Sequence, residues 1–187
     1  RARREAGPSG SARGCRFDRR AAGRKLLVPY ITGGLGSSWT SHLEAMAAAG
    51  ADAIEVGIPF SDPVMDGPVI QQASQRALEL GATPPGIAAA LERIDTAVPM
   101  AAMTYYNIVF RTGHRRFARM LADAGMCAAI VPDLPLEELD DWARAAEHGG
   151  IETVLLANRA APKPEGDAAK DGEKTDAADA KASKEAV

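Results

Sequence analysis

Between residues 25 and 158, short apolar runs alternate with stretches whose apolar residues recur at helical spacing. The run "KLLVPYI" (25–31) reads as a strand and ends at Gly33-Gly34. Trp39, Leu43, Met46 and Ala47 then fall on one helical face, with Ser37 or Ser38 as N-cap and Gly50 as the stop. "ADAIEVGI" (51–58) reads as a second strand. Helical patterns follow over about 69–80 and 84–94, the second carrying Ile87, Leu91 and Ile94 on one face. "VPMAAMTYYN" (98–107) is the third strand, and its helix carries Phe117, Leu121 and Ala124 before Gly125. "CAAIVPDLP" (127–135) is the fourth, followed by a helix with Leu139, Trp142 and Ala146 that stops at Gly149-Gly150. "ETVLLAN" (152–158) is the fifth.

Continuous apolar strands, each followed by an amphipathic helix, imply a parallel sheet covered by helices. The phrases "AGADAIEVGIP" and "AGMCAAIVPDLP" look alike, as successive copies of one βα unit would. Two architectures satisfy this rhythm: a doubly wound open sheet and a (β/α)8 barrel. The turn "TGGLGSS" lacks the Gly-x-Gly-x-x-Gly spacing of a dinucleotide site, and no Gly-Lys-Ser/Thr phosphate loop occurs, so the nucleotide-binding version is disfavoured.

Composition narrows the function classes. A formal charge of −3 and 5% aromatics argue against nucleic acid as a partner, and no stretch has the length of apolar residues that a membrane helix needs. The two cysteines, Cys15 and Cys127, lack metal-ligand spacing and fit a reducing, cytoplasmic setting with two unpaired thiols. Residues 1–24 read as a disordered basic arm, or as a chain whose true start lies upstream. Residues 163–187 form a charged tail too poor in apolar residues to offset ordering entropy. The folded part expected from this is 25–162.

One stretch breaks the apolar pattern. In "IEVGIPFSDPVMDGPVIQ" (54–71), Glu55 sits between Ile54 and Val56, and Asp62 and Asp66 follow in a Pro/Gly-rich loop. Function in parallel α/β folds gathers at the carboxyl ends of strands. Tyr105, Tyr106 and Asn107 end the third strand and Asp133 ends the fourth, so polar groups from several strands share one rim. Each has a plainer role available: Asp133 could cap a helix, Asn107 could turn the chain, and Glu55 could form a buried ion pair. Burying Glu55 without a partner costs several kcal/mol, which leaves catalysis and ion pairing evenly balanced on pattern alone.

The same stretch resembles the signature of the tryptophan synthase alpha chain family. "VPYITGG", "MTYYNIVFRTG" with "RFARMLADAG", and "IVPDLPLEE" are similar to that family's strands one, three and four, in order, over about 25–157. The resemblance implies a (β/α)8 barrel and a retro-aldol lyase that splits indole-3-glycerol phosphate into indole and glyceraldehyde 3-phosphate. It implies Glu55 as general acid/base, Asp66 as the carboxylate that accepts the indole N–H, and Tyr30, Phe60 and Tyr105 around the indole. It places Asp62 and Pro63 in the loop that meets a beta-chain partner, in an alpha2-beta2 assembly. No metal or organic cofactor is implied for this half-reaction, pyridoxal phosphate belonging to the beta chain. No Schiff-base Lys lies in strands two to five, which disfavours an aldolase of that type.

The family's pattern stops after the fifth of eight strands, where "NRAAPKPEGDAAK" leads into the charged tail. The expectation is therefore a partial barrel without strands six to eight or the glycine-rich loops that grip the substrate phosphate. Turnover should suffer with affinity, because remote binding energy positions the reacting centre. The alternative function is an inactive remnant that retains only beta-chain binding.

Overall fold

The computed structural model describes residues 25–155. The basic arm at 1–24, the tail at 163–187 and the end of the fifth predicted strand lie outside the described residues. Five strands form one sheet: β1 (Tyr30–Thr32), β2 (Ile54–Gly57), β3 (Met100–Met103), β4 (Ala128–Ile130) and β5 (Glu152–Val154). Between them run α1 (Trp39–Ala48), α2 (Pro68–Glu79), α3 (Pro84–Leu91), α4 (Tyr106–Thr112), α5 (His114–Asp123) and α6 (Leu139–Gly149), with a 3-10 turn at Leu136–Glu138.

Every strand pair is parallel and the spatial order is β1-β2-β3-β4-β5. That order decides between the two architectures. A doubly wound sheet reverses direction at a switch point, so that its first strand lies inside the sheet. Here each strand is laid beside its predecessor on the same side. With right-handed crossovers, this winding puts every helix on one face, as in a barrel wall. The fold is α/β of the TIM-barrel type.

Alternation along the strands then separates two faces. Ile31, Ile54, Val56, Met100, Ala102 and Ala129 point toward the helices. They join Leu43, Ile87, Leu91, Val109, Phe117, Leu121 and Trp142 in the main core. Ala101 and Ala128 point the other way, with Cys127, Ile130 and Val154 packed against them. Glu55 and Gly57 share this second face with Tyr30 and Thr32 of β1, since Tyr30 pairs with Glu55 and Thr32 with Gly57 in register. Glu55 therefore stands on the concave side of a barrel wall, not toward the helices.

Two expectations are corrected. Tyr106 and Asn107 do not end the third strand; β3 stops at Met103, Tyr105 has extended backbone as an N-cap, and α4 starts at Tyr106. Among the described residues no cysteine is free, and Cys127 is disulfide-bonded, where the pattern implies an unpaired thiol. Cys127 precedes β4, is half-buried and packs beside Ala101 and Ala128.

Candidate active site

Strands β1 and β2 and the segments that follow β2 and β3 bring four of the expected residues into one electrostatic group. Tyr30 comes from the start of β1, Glu55 from β2, Asp66 from the loop after β2 and Tyr105 from the cap of α4, two residues beyond β3. Tyr30 feels the charges of both Asp66 and Glu55, and Glu55 feels that of Asp66.

Glu55 is half-buried, and burial raises its pKa above the ordinary 4.5, with the Asp66 charge raising it further. Desolvation and a like charge both disfavour the ionised form. The ion pairs Arg76–Glu79 and Arg144–Asp141 are exposed pairs within single helices, and neither involves Glu55. The neighbourhood of Glu55 thus makes its carboxyl reluctant to ionise and supplies no cation among the described residues to reverse that.

The phenol of Tyr30 lies against β2. A methyl group placed on Gly57 would come within 1.9 Å of the Tyr30 hydroxyl and 2.5 Å of its ring carbon Cζ. Gly57 leaves the space that the ring fills. The Tyr30 hydroxyl lies 3.5 Å from Thr32 Oγ1, and burial is the main cause raising its pKa.

Asp66 is held by a different set of contacts. The Tyr105 hydroxyl donates to Asp66 Oδ2 at 3.1 Å and accepts from the backbone N–H of Met65 at 2.9 Å. The Tyr105 ring is buried and stacks on Phe60, with centroids 5.0 Å apart and planes 25° from parallel. Gln71, one turn into α2, donates to the carbonyls of Asp66 (2.9 Å) and Pro63 (3.2 Å). A flexible Pro/Gly loop is thereby fixed from both ends, by Tyr105 from β3 and by Gln71 from α2. Gln71 and the Met65 amide are parts of the site that the sequence reading missed. The only hint was that Gln71 closes the same signature stretch.

Asp62 stands apart from this group, and Pro63 is tied to it only through the bond from Gln71 to its carbonyl. Asp62 is exposed and accepts from its neighbour Ser61. Val64 and Met65, next in the loop, are 80% and 56% exposed. A cleft of about 430 Å³ lies along this loop and α2. It is lined by Phe60, Pro63, Gln71, Gln75 and Arg76 among others, and contains neither Glu55 nor Asp66. Shape alone would put a ligand there. The shifted carboxyl of Glu55, with Tyr30, Asp66 and Tyr105 around it, makes the concave face the stronger candidate. Among the described residues no cluster of His, Cys, Asp and Glu is arranged to hold a metal ion, and no helix is long and apolar enough to cross a membrane.

Comparison with known proteins bears on the family and the fold. The family model described as "Tryptophan synthase alpha chain" matches residues 17–167. The tryptophan synthase alpha chain of Nitratidesulfovibrio vulgaris (strain DP4) is 44% identical over 142 residues, covering 73% of this chain and 54% of that protein. That of Methanosarcina barkeri is 44% identical over 132 residues, covering 70% and 50%. Among solved structures, tryptophan synthase from M. tuberculosis superposes with a TM-score of 0.70 at 38% identity, over 75% of this chain and 58% of that one. Tryptophan synthase subunit alpha from Legionella pneumophila gives 0.65 at 35%, over 73% and 54%. The chain spans about half the length of the curated relatives it matches.

Proposed function

The chain belongs to the tryptophan synthase alpha chain family, and from that premise we propose that its concave face carries out the retro-aldol cleavage of indole-3-glycerol phosphate. One observation carries the reading: a half-buried Glu55 with a raised pKa and no cationic partner among the described residues, beside an Asp66 fixed by Tyr105. The reaction needs a proton placed on indole C3, which turns the ring into a leaving group, and the removal of the proton from the adjacent side-chain hydroxyl. A carboxylic acid that holds its proton toward neutral pH can give it to C3, and its conjugate base can then take the hydroxyl proton. As that O–H is lost, the C–C bond breaks and its electrons return to the ring. Indole leaves with the new C3–H, and the carbinol carbon becomes the aldehyde of glyceraldehyde 3-phosphate.

Asp66 supplies the complementary charge. It accepts the indole N–H and opposes the positive charge that C3 protonation puts on the ring, which is electrostatic stabilisation by a preplaced group. Two carboxylates thus take two roles because their surroundings differ. Phe60 and Tyr105, stacked on one another, and Tyr30 provide the aromatic lining. No step in this scheme draws on a metal or organic cofactor; pyridoxal phosphate would serve the partner's half of the reaction.

The experiment is indole release by the purified chain, alone and with a tryptophan synthase beta chain. Glu55→Gln should abolish release, because a carboxamide neither donates nor accepts the required proton; equal rates for the two proteins would discard Glu55 as the acid/base. A second reading, docking to the beta chain without turnover, is favoured by exposed Val64 and Met65 flanking Asp62 and Pro63. Co-sedimentation with a beta chain that is lost in Asp62→Ala/Pro63→Ala, with no indole formed, would select that reading.

A further inference from the structure

We propose that Asp133 is a positioning residue for Asp66, acting through the start of α4 and the side chain of Tyr105; the inference rests on the lyase reading for its catalytic meaning. Helix α4 has seven residues, and its N-cap, Tyr105, makes no side-chain capping bond. The first turn of a helix leaves backbone N–H groups without helical partners. Here the cap comes from another strand. Asp133, in the loop after β4, accepts the Tyr106 N–H through Oδ1 at 2.7 Å. A carboxylate on a helix-start N–H is a charge-assisted bond, and its charge suits the positive end of the helix dipole.

That bond fixes the peptide joining Tyr105 to Tyr106. One residue earlier, the Thr104 N–H donates to the Ile130 carbonyl at 3.0 Å, so β4 and its loop grip the chain on both sides of Tyr105. The Tyr105 ring is then committed in direction. It stacks on Phe60, and its hydroxyl receives the Met65 N–H and donates to Asp66. A continuous series of contacts therefore runs from Asp133 to the carboxylate that would face the indole nitrogen. Asp133 touches none of the reacting atoms in this arrangement. A small error in the placement of a catalytic group can cost up to about 100-fold in rate.

The test uses the whole chain labelled with 3-fluorotyrosine. Its three tyrosines, Tyr30, Tyr105 and Tyr106, give three fluorine signals assignable by Tyr→Phe substitution. In Asp133→Ala the Tyr105 signal should shift, as it should in Asp66→Ala. Asp133→Asn should restore it, because the carboxamide oxygen still accepts the Tyr106 N–H. Where the parent releases indole, Asp133→Ala should lower kcat about 10-fold or more with KM within about twofold, and Asp133→Asn should recover most of the loss. A Tyr105 signal unmoved in Asp133→Ala overturns the proposal whether or not indole is made. A shift that Asp133→Asn fails to reverse overturns it too, since a general loosening of the loop would do the same. If the parent makes no indole while the signal moves and is rescued, the lyase reading fails and the positioning relation stands.

Discussion

At the scale of single residues, the site is governed by what a side chain has lost as much as by what it touches. Glu55 has lost part of its hydration and gained the charge of Asp66, and both raise its pKa. The folded protein therefore binds that proton more tightly than the unfolded chain does. By linkage, the contribution of Glu55 to stability is most favourable below the ordinary carboxylate range. It declines as pH climbs from 4.5 through the raised folded value. Glu55→Gln should accordingly raise the urea midpoint above that window and leave it little changed below; a gain independent of pH would contradict the assignment. Removing one of the two causes should move the proton directly. In Asp66→Asn, a 13C titration of the Glu55 carboxyl should show its midpoint lowered toward, but not to, the ordinary value, because desolvation remains. Gly57 offers a steric counterpart. Gly57→Ala forces the Tyr30 phenol aside and should cost about 1–3 kcal/mol, as overpacking does. In a Tyr30→Ala background the same change should cost less than about 0.5 kcal/mol, because the colliding ring is gone.

At the scale of elements, legibility followed the strength of the local signal. Helices α1, α2 and α6 begin and end within about two residues of where periodicity and glycine stops place them. Gly50 and Gly150 do adopt the positive φ angles that end helices, at +95° and +70°. Tyr105, Tyr106 and Asn107 were misread as the end of β3 because two aromatic residues continue an apolar strand in any local reading. The first N–H of α4 is bonded by Asp133, a residue 27 positions away, and no local propensity contains that bond. The same holds for the site. Glu55 was conspicuous as a lone charge in an apolar strand, whereas Gln71 was hidden as an ordinary polar residue on a helix. Helix α3 illustrates the opposite case, where the cap is local. Thr83 Oγ1 accepts from Gly86 N–H at 3.2 Å, and two prolines follow it at the helix start. Thr83→Ala should cost about 1 kcal/mol in chemical denaturation, and Thr83→Ser almost nothing.

At the scale of the whole molecule, strand order sets where the sheet is strong and where it is exposed. Among the described residues β2, β3 and β4 have neighbours on both sides, whereas β1 and β5 have one each. Inner-strand amides are bonded across the sheet: Ile54 N–H to the Pro99 carbonyl, Glu55 N–H to Pro29, and Ile58 N–H to Met103. These bonds can open only when two strands part, and the strands part only when the core of Leu43, Val56, Phe117 and Trp142 gives way. Hydrogen exchange should therefore be slowest in Ile54–Gly57 and Met100–Met103, with free energies close to global unfolding. In β1 and β5, the amides directed away from the neighbouring strand should exchange faster, by several orders of magnitude if nothing pairs with those edges. A doubly wound sheet would give the reverse for β1, whose amides would be among the most protected. Equal protection across all five strands in the order found here would have a different meaning. It would require a further segment, of this chain or of a second copy, to lie along β1 and β5 and complete the barrel wall. The concave face that holds Glu55 would then be closed over. Closure would deepen the desolvation that already raises its pKa, so the exchange pattern and the Glu55 titration should change together.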